Sequence, residues 1–112
     1  MKPLLAKDLP TFLKRFGDFV DGEFRHVEVV SPTTIKIIIA GQDSARGFDW
    51  ITVEFEFNGV SAASLIDNSK LSHLDMDDGI DILFEDESFN FKVNNSTCQI
   101  TSSTLKYQEG QF

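Results

Sequence analysis

Few side chains in this sequence could perform catalysis or bind a metal ion. The two histidines, His26 and His73, belong to no motif with the short ligand spacing of a zinc site. We predict a half-buried structural role for His26 and a surface position for His73. The single cysteine, Cys98, lies in a predicted strand without the cationic neighbours that would activate a thiol. These residues therefore indicate neither a catalytic site nor a metal site.

The acidic segment 74–85 is the other candidate for chemistry. Gly79 and Glu85 have the spacing of the sixth and twelfth positions of a calcium-binding EF-hand loop. The match fails at the first and third positions, because Leu74 and Met76 cannot ligate a hard cation. The seven glycines are scattered and form no phosphate-binding motif, and no GxSxG nucleophile motif is present. We therefore predict no enzyme activity and no cofactor.

The charges of the chain favour a basic partner. Ten basic and eighteen acidic residues give a net charge of −8, which would repel nucleic acid and anionic lipid. Seven acids without an intervening Lys or Arg lie between positions 75 and 87: Asp75, Asp77, Asp78, Asp81, Glu85, Asp86 and Glu87. A basic protein is the natural complement of this segment, although solubility alone would explain the same charges.

The strand that would position an aromatic and acidic patch is the clearest element in the sequence. Residues 50–57 alternate strictly between apolar and polar positions, which is typical of a half-buried strand. We expect the outward face to carry Trp50, Glu54 and Glu56, a combination found in protein interfaces. The alternative is that the helix or an opposing sheet covers Trp50.

The remaining pattern predicts one helix and several hairpins. Leu9, Phe12, Leu13 and Phe16 share a helical face, with Asp8 as a candidate N-cap and Gly17 as the closing residue. Strand patterns over 24–30 and 34–40, and over 80–85 and 89–93, predict two hairpins. Further predicted features are a turn at Asn58-Gly59, a strand over 60–66, a turn at Asn94-Asn95, and separate strands over 98–102 and 104–107.

These elements indicate a mainly β protein of the α+β type. We predict a single domain over residues 1–112, with an antiparallel sheet of six to eight strands folded into a sandwich or half-barrel. One short N-terminal helix should pack on this sheet. The apolar run at positions 4–6 is too short for a signal peptide, and no run is long enough to span a membrane. The lone cysteine fits a reducing compartment, so we expect a cytoplasmic protein.

Three segments carry a resemblance to a known class of proteins. They are Phe19-Val20-Asp21-Gly22 before a strand, residues 53–60, and Leu105-Lys106-Tyr107-Gln108-Glu109. Together they resemble small bacterial β-rich domains, some of which look like immunity proteins of polymorphic toxin systems. The resemblance implies a cytoplasmic inhibitor that occludes a toxin with a charged surface, and it carries no catalytic residue to this chain.

The sequence favours a non-enzymatic protein-binding module, and the resemblance specifies an immunity-type inhibitor of a basic effector. Two alternatives stay open. One is a ligand-binding or enzymatic β-rich domain with a pocket lined by some of the eleven phenylalanines. The other is a homo-oligomeric subunit that associates through a sheet edge or Trp50. The candidate partner-binding residues are Trp50, Glu54, Glu56, Asp75, Asp77, Asp78, Asp86 and Glu87.

Overall fold

The structure, a computed structural model, describes residues 1–67, 69, 76–95 and 97–112. These residues form one seven-stranded antiparallel sheet and one α-helix, α1 (Leu9–Arg15). The strands are β1 (Lys2–Pro3), β2 (Glu23–Ser31), β3 (Thr34–Asp43), β4 (Asp49–Ser64), β5 (Ile80–Glu85), β6 (Ser88–Val93) and β7 (Cys98–Gln111). Single turns of 3-10 helix lie at Ala6–Asp8, Gly17–Phe19 and Ser44–Arg46. The predicted mainly β class with a short N-terminal helix is confirmed.

The sheet has the strand order β2-β3-β4-β7-β6-β5, and β1 pairs with β7. Its long central strands form because residues 34–39 and 50–57 are rich in β-branched and aromatic side chains. The predicted alternation in β4 is confirmed, since Ile51, Val53, Phe55 and Phe57 are buried on the inner face. The polar side chains between them occupy the outer face.

Helix α1 and the turn that follows it cover the inner face of the sheet. Phe12 packs against Phe55 with ring centres 5.9 Å apart, and Phe19 packs against the same ring at 6.1 Å. Gly17 ends the helix with a φ of 57°, as predicted. Asp8 occupies the N-cap position, but its side chain accepts no capping hydrogen bond. The helix is therefore held mainly by its apolar face.

The sheet curls around the Gly17–Phe19 turn. On one side the Phe19 ring packs closely against Gly41 of β3. On the other side the backbone of Asp18 packs closely against Gly79, which directly precedes β5. Because β3 and β5 are four strand positions apart in the sheet, one turn can reach both only if the sheet is curved. This arrangement matches the half-barrel form of the prediction.

Both predicted hairpins are confirmed, whereas the turn predicted at Asn58-Gly59 is wrong. Strand β4 continues through these residues and stays paired with β7 on both sides of them. Gly59 has a φ of 66°, and the register shifts between Val60 and Ala62. The glycine thus creates an irregularity in the strand instead of reversing it. Strand β7 pairs with β4 along most of its length, so the two strands predicted over 98–102 and 104–107 are one continuous strand, β7.

Candidate functional site

Trp50 lies on the outer face at the start of β4, as predicted, and its side chain is 38% exposed. Its ring packs against that of Phe112, with centres 5.4 Å apart. The alternative, in which the helix or an opposing sheet covers Trp50, is therefore wrong. Phe48 and Phe112 are 63% and 54% exposed. We call Phe48, Trp50 and Phe112 the aromatic patch.

Trp50 stands between two surface depressions. The larger has a volume of about 490 Å³ and is lined by Arg46, Asp49, Trp50, Ile51, Glu109, Gly110, Gln111 and Phe112. The smaller has a volume of about 180 Å³ and is lined by Lys14, Arg15, Phe16, Gly17, Val20, Gly22, Gln42, Ser44, Phe48 and Trp50. The aromatic patch is therefore surrounded by recesses that side chains of another molecule could enter.

The loop that exposes Phe48 has an unusual backbone conformation. It joins β3 to β4, and both Gly47 and Phe48 have left-handed φ angles, of 64° and 66°. A large non-glycine residue in this region costs on the order of 1 kcal/mol or more. The loop is held by hydrogen bonds to Asp43: its carboxylate accepts from the N–H of Ala45 at 2.9 Å, and its carbonyl accepts from the N–H of Phe48 at 2.8 Å.

Beneath this loop two arginines and two acids form a charge-balanced cluster. Arg15 donates to both carboxylate oxygens of Asp43, at 2.8 and 2.6 Å, and to both oxygens of Glu109, at 3.2 and 2.9 Å. Arg46 donates to Glu109 at 3.0 Å and lies 3.3 Å from Asp43. The Asp43 side chain is fully buried. We call these four residues the ion cluster.

Electrostatics keep the ion cluster charged. The hydrogen bonds from Arg15 hold the pKa of Asp43 and that of Glu109 below their ordinary values, even though burial acts in the opposite direction. The two acids raise the pKa of Arg15 in turn. Arg15, Asp43 and Glu109 are therefore ionised at neutral pH, and the cluster positions the loop instead of exchanging protons.

The sequence did not predict the ion cluster, because Arg15 is 28 residues from Asp43 and 94 residues from Glu109. One signal was present in the sequence. Strand β3 alternates, so Asp43 falls on the same face as Ile37 and Ile39, where an ionised residue needs a partner. The helix residue that supplies this partner could not be identified without the fold.

Glu54 and Glu56 share the outer face with Trp50, but basic side chains stand opposite them. Glu56 pairs in register with Lys36 on β3 and with Lys106 on β7. Glu54 lies 3.9 Å from the Lys36 ammonium. These two acids are therefore part of a mixed-charge surface next to the aromatic patch.

The other predicted partner-binding acids lie around the β5–β6 hairpin. Asp77 and Asp78 precede β5, and the Asp78 carboxylate accepts a hydrogen bond from Asn95 at 3.3 Å. Asp86 and Glu87 form the turn at the opposite end of β5, about 17 Å away for a strand of this length. Asp75 lies outside the described residues. The structure therefore separates these acids into two pairs, one at each end of β5.

The residues considered for catalysis have ordinary structural positions. His26 is exposed, not half-buried as predicted, and lies 3.8 Å from Glu28. Cys98 is buried, and burial raises the pKa of its thiol to about 11, so the thiol is protonated and unreactive at neutral pH. His73 lies outside the described residues. Within the described residues no group of three or more His, Cys, Asp or Glu side chains is arranged to hold a metal ion.

Two further findings concern membrane-spanning helices and known relatives. Across the part of the chain that the structure describes, no helix is both long and apolar enough to cross a membrane. Comparisons with protein-family models, curated proteins and solved structures found no match to this chain.

Proposed function

We propose that this chain is a non-enzymatic binding protein that contacts another protein through the aromatic patch. The observation that carries the proposal is the exposure of Phe48, Trp50 and Phe112 beside two depressions. Large aromatic residues and arginine are enriched at the centres of protein interfaces, because they bury much area with little loss of side-chain entropy. Arg46, on the same loop as Phe48, completes this composition.

The backbone of Phe48 supports a binding role for its ring. A glycine at this position would relieve the left-handed strain, and a polar side chain would suit the solvent. The chain instead exposes a phenyl ring on a loop that the ion cluster holds in place. A rigid, exposed ring loses little conformational freedom on binding, so more of its burial contributes to affinity.

The net charge of −8 supports a basic partner. The acid pairs at the two ends of β5 contribute to the long-range field that increases the association rate. In its most specific form the proposal is a cytoplasmic, immunity-type inhibitor that covers the working surface of a basic effector. The resemblance of residues 19–22, 53–60 and 105–109 to immunity-like domains supports this form.

The packing of the buried rings argues against the alternative of a ligand-binding domain with a pocket lined by phenylalanines. Phe57 and Phe91 have ring centres 5.0 Å apart, and Phe16 and Phe19 are stacked at 4.7 Å. Phe55 contacts Phe91 at 5.9 Å. These rings fill the space between the helix and the sheet by contacting one another.

Site-specific photo-crosslinking in the native host would test the proposal. A photoreactive phenylalanine analogue, p-benzoylphenylalanine, would replace Phe48 in one variant and Leu83 in a matched control. Leu83 is also an exposed apolar residue, but it lies on β5, away from the aromatic patch. We expect a discrete adduct with a second protein from position 48 and none from position 83, with mass spectrometry identifying the partner.

The purified partner would then be titrated with the wild-type chain and with Phe48→Ser and Trp50→Ala variants. Truncating a central interface aromatic should weaken binding by on the order of 30-fold or more. Adducts only with a second copy of this chain would support the homo-oligomer alternative instead. Equal adducts from positions 48 and 83, or unchanged affinity of both variants, would refute the proposed binding surface.

A further inference from the structure

We infer that the larger depression beside Trp50 receives an arginine side chain of the partner. The inference rests on the proposed function and names the chemistry of the contact. It depends on three properties of the depression: an aromatic wall, an acid without a partner, and the cancellation of the local positive charges. Each property is derived from the described residues.

The aromatic wall consists of Trp50 and Phe112. An indole face attracts a cation more strongly than the other aromatic faces, and a phenyl face does the same more weakly. The fold already uses this attraction at this wall, because the Arg25 guanidinium lies 4.2 Å from the centre of the Phe112 ring. Arg25 is itself neutralised by Glu23, at 2.8 Å, so it adds little positive charge to repel a second cation.

Arg46, which lines the depression, is also neutralised. It lies within 3.3 Å of both Asp43 and Glu109, and Arg15 shares the same two acids. Two positive and two negative charges therefore cancel in the ion cluster. What is left at the depression is Asp49, which is exposed and whose carboxylate makes no hydrogen bond or ion pair with any other described residue. The depression therefore carries a net negative charge.

A guanidinium group fits this combination better than an ammonium group. It is planar and weakly hydrated, so it can stack on an aromatic ring, and its N–H groups can donate to a carboxylate that lines the same depression. A lysine would offer a strongly hydrated point charge that cannot stack. The volume of about 490 Å³ accommodates an arginine side chain together with part of its own backbone.

Trp50 is the only tryptophan, so its indole N–H gives a single tryptophan side-chain signal in a nitrogen-correlated NMR spectrum. The probe is the peptide acetyl-Gly-Arg-Gly-amide, compared with the same peptide carrying citrulline, the uncharged analogue of arginine, and with one carrying lysine. We expect a saturable shift of the indole signal with the arginine peptide. The lysine peptide should bind more weakly, and the citrulline peptide should cause no saturable shift.

Asp49→Asn should lower the affinity for the arginine peptide about tenfold, because a hydrogen-bonded charge is lost. Glu28→Gln is the matched control, since it removes an exposed acid from β2 and should change the affinity less than about twofold. Equal responses to arginine and citrulline, equal affinity for lysine, or an unchanged affinity of the Asp49→Asn variant would overturn the inference. Cross-linking from position 48 combined with any of these results would refute the arginine contact and leave the proposed binding surface intact.

Discussion

Two hydrogen bonds join the guanidinium of Arg15 to the carboxylate of Asp43, from Nε to Oδ1 at 2.8 Å and from Nη2 to Oδ2 at 2.6 Å. Arg15 is the last residue of α1, and Asp43 is the last residue of β3. The pair therefore ties the helix to the point where the Phe48 loop begins. It links the packing of the core to the geometry of the proposed binding surface.

The first prediction concerns this pair. Asp43→Asn should lower the free energy of unfolding by about 3 kcal/mol, because it leaves Arg15 without its closest counter-charge in a partly buried site. Glu54→Gln is the control and should cost less than about 1 kcal/mol, since its contact with Lys36 is long and solvated. Urea unfolding of both variants would measure the difference. Equal losses would show that the ion cluster contributes no more than a surface pair.

The second prediction is a loss of stability in acid. Asp43 and Glu109 have folded-state pKa values below their ordinary values of 3.8 and 4.5. The unfolded chain therefore binds protons first as the pH falls, and protonation favours unfolding. The contribution of the two acids should be complete above pH 4.5 and should be lost as the pH falls through the folded-state pKa values.

Thermal unfolding at a series of pH values would check this dependence. In the double variant Asp43→Asn with Glu109→Gln, the melting temperature should be lower at neutral pH and should fall less steeply below pH 4.5. The single variant Glu28→Gln removes an exposed acid and should keep the wild-type slope. A double variant with an unchanged acid slope would contradict the assignment of this dependence to the ion cluster.

The third prediction uses the turn between β5 and β6. Asp86 and Glu87 have φ angles of 51° and 62°, which is the two-residue hairpin geometry that an Asn-Gly dipeptide adopts with least strain. The double change Asp86→Asn with Glu87→Gly should therefore stabilise the fold by about 1 kcal/mol. Glu85→Gly, one position earlier in the strand, should destabilise it. Chemical denaturation would measure the change in the free energy of unfolding for both variants. Destabilisation by the turn variant would contradict the assigned geometry.

The fourth prediction compares two glycines with nearly the same φ. Gly79 and Gly47 have φ angles of 65° and 64°, but a Cβ atom on Gly79 would collide with the backbone of Asp18 and Val20, whereas Gly47 has open space. Gly47→Ala should cost about 1 kcal/mol, which is the effect of the left-handed backbone alone. Gly79→Ala should cost several times as much, measured by thermal unfolding. Similar losses would show that the contact with the Gly17–Phe19 turn is not tight.

Local patterns were enough to predict much of the fold. The alternation over residues 50–57 predicted which side chains of β4 face the core, because successive residues in a strand point to opposite faces. The helical spacing of Leu9, Phe12 and Phe16 predicted α1 for the equivalent reason. Asn58-Gly59 misled the prediction because the same dipeptide can close a hairpin or form an irregularity within a strand. The outcome depends on whether a partner strand continues alongside the dipeptide, as β7 does.

The outward position of Trp50 was determined by the sequence itself, since it follows from the period of a strand. Its contact with Phe112 was decided only by the tertiary structure, because it depends on the register in which Ile51 stands opposite Gln111. The ion cluster likewise exists only when α1 lies across the ends of β3 and β7. Periodicity acts between neighbours along the chain, whereas both of these contacts join residues that only the packed sheet and helix bring together.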